Sequence, residues 1–471
     1  MNDAEKALKF FRWSAVHIPA YKRFLKKRGV SSKAIHSTAD FSKVPVMDKA
    51  NYLRAYPYKE LFRNGEIPPF LSMSSGSSGK PFYWPRSIEQ EKRGGYIHEI
   101  IFRDIFGITK KERTLVIIGF SMGTWIAGMF TVNSCREMVE KGYRITIASP
   151  GIEKEDILAI LNDFAPHFDT VILAGYPPFL MDVIVEAERR HIKIKNINLK
   201  LLFAGENFSE RWRSRAHEIA GIKKHIGNSV SVYGSADADV LGHETPLSIF
   251  IRRKAGLNRK FAEALWGDVG FLPTLAQYHP SEKFFESVDG ELVFTAQSGI
   301  PLIRYNIHDR GRIVLHKTIA AALAKFGYAK EAKKYGLQRW KMPFLTLAGR
   351  NDVAVTFYGL NIYPENIKAG LEDSSVARYV TGKFITFTKS VNREKSQKLI
   401  INVELQQRIV VSPWLEKAIR DSIVRNLISL NIEYRKLSSS IAERAHPIIK
   451  ITKNGSTIFQ IRKAKHRWVQ K

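Results

Sequence analysis

The sequence predicts an α/β protein: a large domain built on a mostly parallel sheet, followed by a smaller α+β domain. Three observations lead there. Between residues 112 and 240 short apolar runs recur at Thr114–Gly119, Arg144–Ala148, Thr170–Ala174, Leu199–Ala204 and Ser229–Tyr233. The segments between them are long enough for crossover helices, the pattern of parallel strands buried on both faces. After Gly349-Arg350 the pattern changes to that of a compact unit of mixed elements. The expected division is 1–348 and 349–471.

Taken in order, the first seventy residues read as short helices and turns, with Phe10, Phe11, Trp13, Ile18, Tyr21 and Phe24 as core and docking residues. Residues 245 to 312 look richer in strand, with Gly290–Thr295 as a strand after a turn. Thr318 to Lys341 is a helical basic stretch with six Lys or Arg against one Glu, read as a solvated insertion or as a docking surface for a carrier or polyanion. In the smaller unit, Leu399–Leu405 reads as a strand, Trp414–Leu430 as an amphipathic helix and Asn431–Tyr434 as a further strand.

Composition narrows the function classes. A chain of 471 residues, 44% hydrophobic and 25% charged, can bury a substantial core and is neither disordered nor collagenous. A formal charge of +29 favours anionic partners without naming one. No Cys/His finger and no basic region feeding a zipper is present, so nucleic acid has no specific reader. One cysteine, Cys135, excludes an internal disulfide framework and a paired-cysteine zinc module. The N-terminus carries early acids and no hydrophobic export segment, and no run is long enough to span a bilayer. A cytoplasmic setting is expected, with peripheral membrane association left open; a homodimer is expected only as the commonest symmetric assembly.

The chemistry is concentrated in a few ordered segments. Ser72–Pro81 offers the hydroxyls of Ser74, Ser75, Ser77 and Ser78, the tight backbone of Gly76 and Gly79, and the charge of Lys80, all suited to phosphate oxygens. Pro81 after Lys80 departs from the G-x-x-x-x-G-K-[ST] loop of ordinary ATPases. Further along stand Phe203-Ala-Gly-Glu206, Tyr233-Gly-Ser-Ala-Asp237, Pro301-Leu-Ile-Arg-Tyr-Asn-Ile-His-Asp309, Gly349-Arg-Asn-Asp352 and Tyr358-Gly-Leu-Asn-Ile-Tyr-Pro364.

In this order the segments resemble the motifs of the adenylate-forming, AMP-binding superfamily, and in particular its phenylacetate-CoA ligase-like branch, over nearly the entire chain. The resemblance implies the adenylate-forming fold, with a large N-terminal domain and a small mobile C-terminal one. It also implies ATP-dependent activation of a carboxylic acid and transfer of the acyl group to a thiol, coenzyme A foremost. ATP, Mg2+ and coenzyme A are the implied cofactors. The Ser/Gly loop would hold phosphate; Ala204, Gly205 and Glu206 would lie against adenine; Tyr233, with Gly234 and Ser235, would stack on the nucleotide. Asp237, in place of the usual glutamate, would ligate the metal. Asp309 would accept both ribose hydroxyls, Arg304 would hold the loop or meet phosphate, and His308 between them is read as structural. Arg350 would contact ribose or phosphate, Asp352 would mark the pivot, and Gly359 and Asn361 would lie on the loop that admits the thiol.

The family's C-terminal lysine corresponds best to Lys463, with Lys465 as the alternative, although the glycine that ordinarily precedes it is missing. Phe120, Trp125, Tyr176 and Phe203 are candidates for the acyl pocket or for plain core. Alternatives to the thiol are an amine, hydroxyl or carrier acceptor, in polysaccharide or secondary metabolism. A noncatalytic nucleotide-binding or scaffold protein is the competing class.

Overall fold

The computed structural model describes residues 3–74, 82–222, 225–267, 272–350, 354–391, 396–459 and 468–469. Helices α1 (Asp3–His17) and α2 (Pro19–Lys27) open the chain, followed by short turns and the antiparallel hairpin β1 (Phe70–Met73) and β2 (Tyr83–Arg86). Phe11, Ile18, Tyr21 and Phe24 are buried, and Phe10 and Trp13 pack partly buried against the same core, as the sequence leads one to expect.

Helix α3 (Ile88–Ile100) leads into β3 (Thr114–Gly119), α4 (Ile126–Glu140), β4 (Ile145–Ala148), α5 (Lys154–Ala159), β5 (Thr170–Gly175), α6 (Pro177–Arg189), β6 (Leu199–Ala204), α7 (Glu210–Ala220) and β7 (Ser229–Ser235). Strands β4, β3, β5, β6 and β7 are neighbours in that order and run parallel. Their alternate side chains feed two cores. Val116, Ile118 and Leu202 face one, while Leu115, Ile117 and Leu201 face the other. This is why the strands read as unbroken apolar runs: both faces are covered.

Past β7 the sheet turns antiparallel through β8 (Asp239–His243) and β9 (Thr274–Gln277). The stretch expected to be β-rich begins instead with α8 (Pro246–Leu257) and α9 (Arg259–Trp266). The local reason is a capping box: Thr245 Oγ1 accepts the Ser248 N–H at 3.2 Å, Ser248 Oγ accepts the Thr245 N–H at 2.9 Å, and Pro246 occupies the first helical position.

Strands β10 (Lys283–Val288), β11 (Glu291–Ala296) and β12 (Leu302–Val314) follow. The basic stretch then folds as α10 (His316–Lys325) and α11 (Ala329–Lys334), with Ile319, Leu323 and Ala332 buried and its lysines outward. Strand β13 (Phe344–Arg350) completes an eleven-stranded sheet in the order β10-β11-β12-β13-β9-β8-β7-β6-β5-β3-β4. Within it β12 changes partners. Its first half pairs with β11 and its second half with β13, and the handover falls at Asp309 and Arg310.

The smaller domain contains the hairpin β14 (Val355–Phe357) and β15 (Leu360–Ile362), helix α12 (Pro364–Leu371), the long pair β16 (Val380–Val391) and β17 (Ser396–Leu405), helices α13 (Pro413–Leu430) and α14 (Ile432–Ile441), and β18 (Ile448–Thr452), which is parallel to β17. It has its own core around Phe357, Ile401, Val403 and Ile423. The last strand of the large sheet ends at Arg350 and the next sheet begins at Val355, so the division expected at 348/349 falls inside β13. Asn431–Tyr434 starts α14 rather than a strand. Asn431 Oδ1 accepts the Tyr434 N–H at 2.9 Å as an N-cap, and the Tyr434 hydroxyl donates to the Ala445 carbonyl at 2.8 Å.

Candidate active site at the strand handover

The site forms where β7, β12 and β13 meet. At the handover in β12, His308 has φ 64° and Arg304 has φ 47°, and the pairing registers shift on both sides, so the strand bends. The bend brings Asp309 to the end of β7. The Tyr233 hydroxyl donates to Asp309 Oδ2 at 2.6 Å, and Asp309 is the cross-strand partner of Arg350. Three residues from separate motifs thus converge, 76 positions apart in the case of Tyr233 and Asp309. Gly234 is needed there: a Cβ on it would lie 2.8 Å from the Asp239 carbonyl of the adjacent strand.

Asp237 lies behind this corner, buried, with Oδ2 accepting the Tyr305 hydroxyl at 2.6 Å and Oδ1 3.6 Å from Lys49 Nζ. Lys49 reaches it from the N-terminal segment, its ammonium 5.3 Å from the Trp84 ring centre. That segment is fastened to β12, since Met47 N–H donates to the Arg304 carbonyl at 3.0 Å and Asn306 N–H to the Met47 carbonyl at 2.8 Å. Among the described residues no group of three or more His, Cys, Asp or Glu side chains gathers as a metal cage. Asp237 offers one carboxylate, the hard oxygen donor that Mg2+ takes alongside substrate phosphates and water.

Arg304 is placed to hold the loop. Its guanidinium donates to Glu286 at 2.9 Å, to the Ser42 carbonyl at 2.7 Å and to the Val44 carbonyl. His308 is half-exposed, with Nδ1 3.1 Å from Glu291. Gly205, with φ 96°, turns the chain after Ala204 at the end of β6 and presents Glu206, which accepts the Tyr176 hydroxyl and also Lys368 from the smaller domain.

The phosphate-loop candidates sit between β1 and β2. Ser74 closes that hairpin: its N–H donates to the Phe82 carbonyl at 3.0 Å, and its Oγ accepts the Phe82 N–H at 3.3 Å. Ser75, Gly76, Ser77, Ser78, Gly79 and Lys80 lie outside the described residues, as do Asp352, Lys463 and Lys465. The candidate acyl-pocket residues do not share one chamber. Phe120 packs in the core on one face of the sheet, and Tyr176 and Phe203 in the core on the other; Trp125 is half-buried at the start of α4, next to the bridge from Met73. Phe203 is fully buried between Phe208 and Trp212.

In the smaller domain, Tyr358 and Gly359 make the turn between β14 and β15, with φ 50° and 79°. The Asn361 carbonyl accepts from Asn431 at 3.4 Å. Helix α12 carries this domain to the corner, because Arg310 Nη1 donates to the Tyr363 hydroxyl at 2.6 Å. Sequence reasoning did not single out Lys49, Tyr305, Tyr363 or Lys368. Each acts across more than fifty residues of chain; Tyr305 and Tyr363 stand within quoted motifs, but nothing in those motifs marks Asp237 or Arg310 as their partners.

No family model matches the chain. It is 23% identical over 376 residues to the phenylacetate-coenzyme A ligase of Aromatoleum evansii, covering 78% of this chain and 75% of that one. It is 22% identical over 371 residues to the enzyme of the same name from Pseudomonas putida, covering 77% and 73%. The structure of 2-hydroxyisobutyryl-CoA ligase in the postadenylation state, with its acyl-AMP, superposes with a TM-score of 0.70 at 16% identity, covering 99% of this chain and 88% of that one. The same enzyme in its thioesterification state, with CoA, gives 0.54 at 16% identity, covering 99% and 89%. The fold is that of a two-domain adenylate-forming enzyme, and sequence and structure together point to the adenylate-forming superfamily.

Proposed function

We propose that the protein is an ATP-dependent, AMP-forming acid-thiol ligase of the phenylacetate-CoA ligase-like branch. A carboxylate oxygen attacks the α-phosphorus of ATP, pyrophosphate leaves with the displaced electron pair, and an acyl-adenylate forms. A thiol, coenzyme A, then attacks the acyl carbon and AMP leaves. Adenylation gives a poor acyl donor a good leaving group, so the protein's task is to hold ATP and acid in line and to offset developing charge.

The convergence of Tyr233, Asp309 and the Arg350 strand position carries this reading. A ring beside a fixed carboxylate suits a nucleoside: the ring stacks on the base and the carboxylate accepts ribose hydroxyls. Arg350 is the candidate contact to ribose or phosphate. Arg304 keeps β12 bent and the N-terminal segment in place. Ser74 to Lys80 supply phosphate donors, and Ala204 to Glu206 the wall beside the base. Mg2+ supplies Lewis-acid charge at the phosphates when bound, with Asp237 as its candidate protein ligand. Lys463, or Lys465, is the candidate bridge between acid and nucleotide, Asp352 the pivot, and Gly359 and Asn361 the thiol-side loop. Phe120, Trp125, Tyr176 and Phe203 are the candidates for shaping the acyl site.

Incubation with Mg-ATP and a panel of carboxylic acids, with and without CoA, tests the reading. Acid-dependent pyrophosphate and an acyl-CoA support it. An adenylate that CoA leaves intact, but that an amine or a carrier thiol consumes, would replace the acceptor.

A further inference from the structure

Three opposite-charge contacts join the two domains. Lys368 of α12 pairs with Glu206, Lys383 of β16 with Asp182 at 2.5 Å, and Asp373 with Arg211 at 3.6 Å; Glu372 also meets the Ser209 hydroxyl. They differ in burial. The Lys368 and Glu206 side chains are 12% and 11% exposed, whereas Arg211 is 58% exposed. Water screens the last pair and leaves the first strong.

Lys368 does more than pair. Its ammonium sits 4.2 Å from the ring centre of Trp468, so one side chain touches the large domain's Glu206 and Trp468 near the end of the smaller domain. Val469, next in the chain, bridges to Thr386 on β16. Lys463 and Lys465 precede Trp468 by five and three residues. Glu206, Lys368 and Trp468 line a groove between the domains, with Pro177, Phe208 and Trp212 as its apolar wall.

We infer that Lys368 is a positioning residue: its contacts with Glu206 and Trp468 latch the smaller domain in the arrangement seen here, the one that serves adenylate formation. The inference rests on the proposed ligase reaction for that last clause only. The second half-reaction needs the latch to open, because a thiol requires access to the acyl carbon that the joined domains restrict.

The test reads domain position and chemistry separately. Cysteines introduced by Lys193→Cys and Ser439→Cys, both exposed, carry spin labels across the two domains, and the natural Cys135 is buried with its thiol pushed up to about 12 by burial, so it stays unlabelled. The latch predicts one dominant distance in the parent protein and a population shift of about tenfold toward a second distance in Lys368→Met, reversed in Lys368→Arg. Asp182→Asn, at the edge of the interface, shifts it in the same direction by a smaller factor. Pyrophosphate exchange should fall about tenfold in Lys368→Met, whereas CoA transfer from supplied acyl-adenylate should be maintained or faster. Superimposable distance distributions in the parent, Lys368→Met and Asp182→Asn would overturn the latch. A distance shift in a protein that makes no adenylate would keep the latch and reject the ligase.

Discussion

Removing the hydroxyl of Tyr233 tests whether the corner is a nucleoside site. In Tyr233→Phe the ring stays, and the bond to Asp309 Oδ2 at 2.6 Å is lost. A hydrogen bond to a charged group contributes about 1.5 to 3 kcal/mol, and this pair is only partly buried, so the lower end applies. ATP affinity should weaken about tenfold, since about 1.4 kcal/mol is one decade. Asp309→Ala removes the proposed acceptor of both ribose hydroxyls and should cost about 3 kcal/mol, roughly a hundredfold. Because the hydroxyl acts through the carboxylate, the double variant should be scarcely weaker than Asp309→Ala, a coupling of about 1.5 kcal/mol. Calorimetric ATP titration of the four proteins measures it. Additive losses would refute the positioning argument, and unchanged affinity in Asp309→Ala would refute the nucleoside site.

Further outcomes follow from the buried polar groups. Arg213 is fully buried and donates twice to Glu244 at 2.7 Å, so Arg213→Met leaves that carboxylate only Arg252 Nη1 at 3.3 Å and the Ser231 N–H at 2.9 Å, and should lower stability by about 3 kcal/mol, read as a reduced urea midpoint. Burial holds His243 down to about 3 and His279 and His217 down to about 4. Below about pH 6.5 the unfolded chain takes up protons that the folded one refuses, so stability present above 6.5 is lost as pH falls through 4. Each group contributes a slope of about 1.4 kcal/mol per pH unit, which His279→Gln should make shallower in denaturation scans. A Cβ on Gly299 would lie 1.9 Å from the Pro85 carbonyl, a backbone clash no rotamer relieves; Gly299→Ala should cost about 1 to 3 kcal/mol and disturb the β1–β2 hairpin, detectable as a lower melting temperature with weaker ATP binding.

Most of the architecture was legible because it is written in local pattern. Five parallel strands declared themselves as apolar runs, since both faces of each are covered. The aromatic N-terminus read as core because Phe11, Tyr21 and Phe24 are core. Where local signals compete, the reading failed: Ile432 and Tyr434 suggested a strand, but the capping bond of Asn431 starts a helix, and the Thr245 box does the same before α8. In the site, the motif order brought out Tyr233 and Asp309. What no motif could show is charge compensation at long range. Lys49 meets Asp237, Glu286 takes Arg304, and Lys368 reaches Glu206 across 162 residues. Such pairings depend on how the sheet bends and on where the smaller domain rests.

The most direct test of the ligase reading is mass-spectrometric detection of acyl-AMP and pyrophosphate from Mg-ATP and a carboxylic-acid panel, with and without CoA, using the parent protein and its Asp309→Ala and Lys463→Ala variants. The reading predicts an acid-dependent adenylate that CoA converts to a thioester in the parent protein, with both variants slowed by about a hundredfold or more. An unchanged product yield in both variants, or no acid-dependent pyrophosphate from the parent protein with any acid, would contradict it.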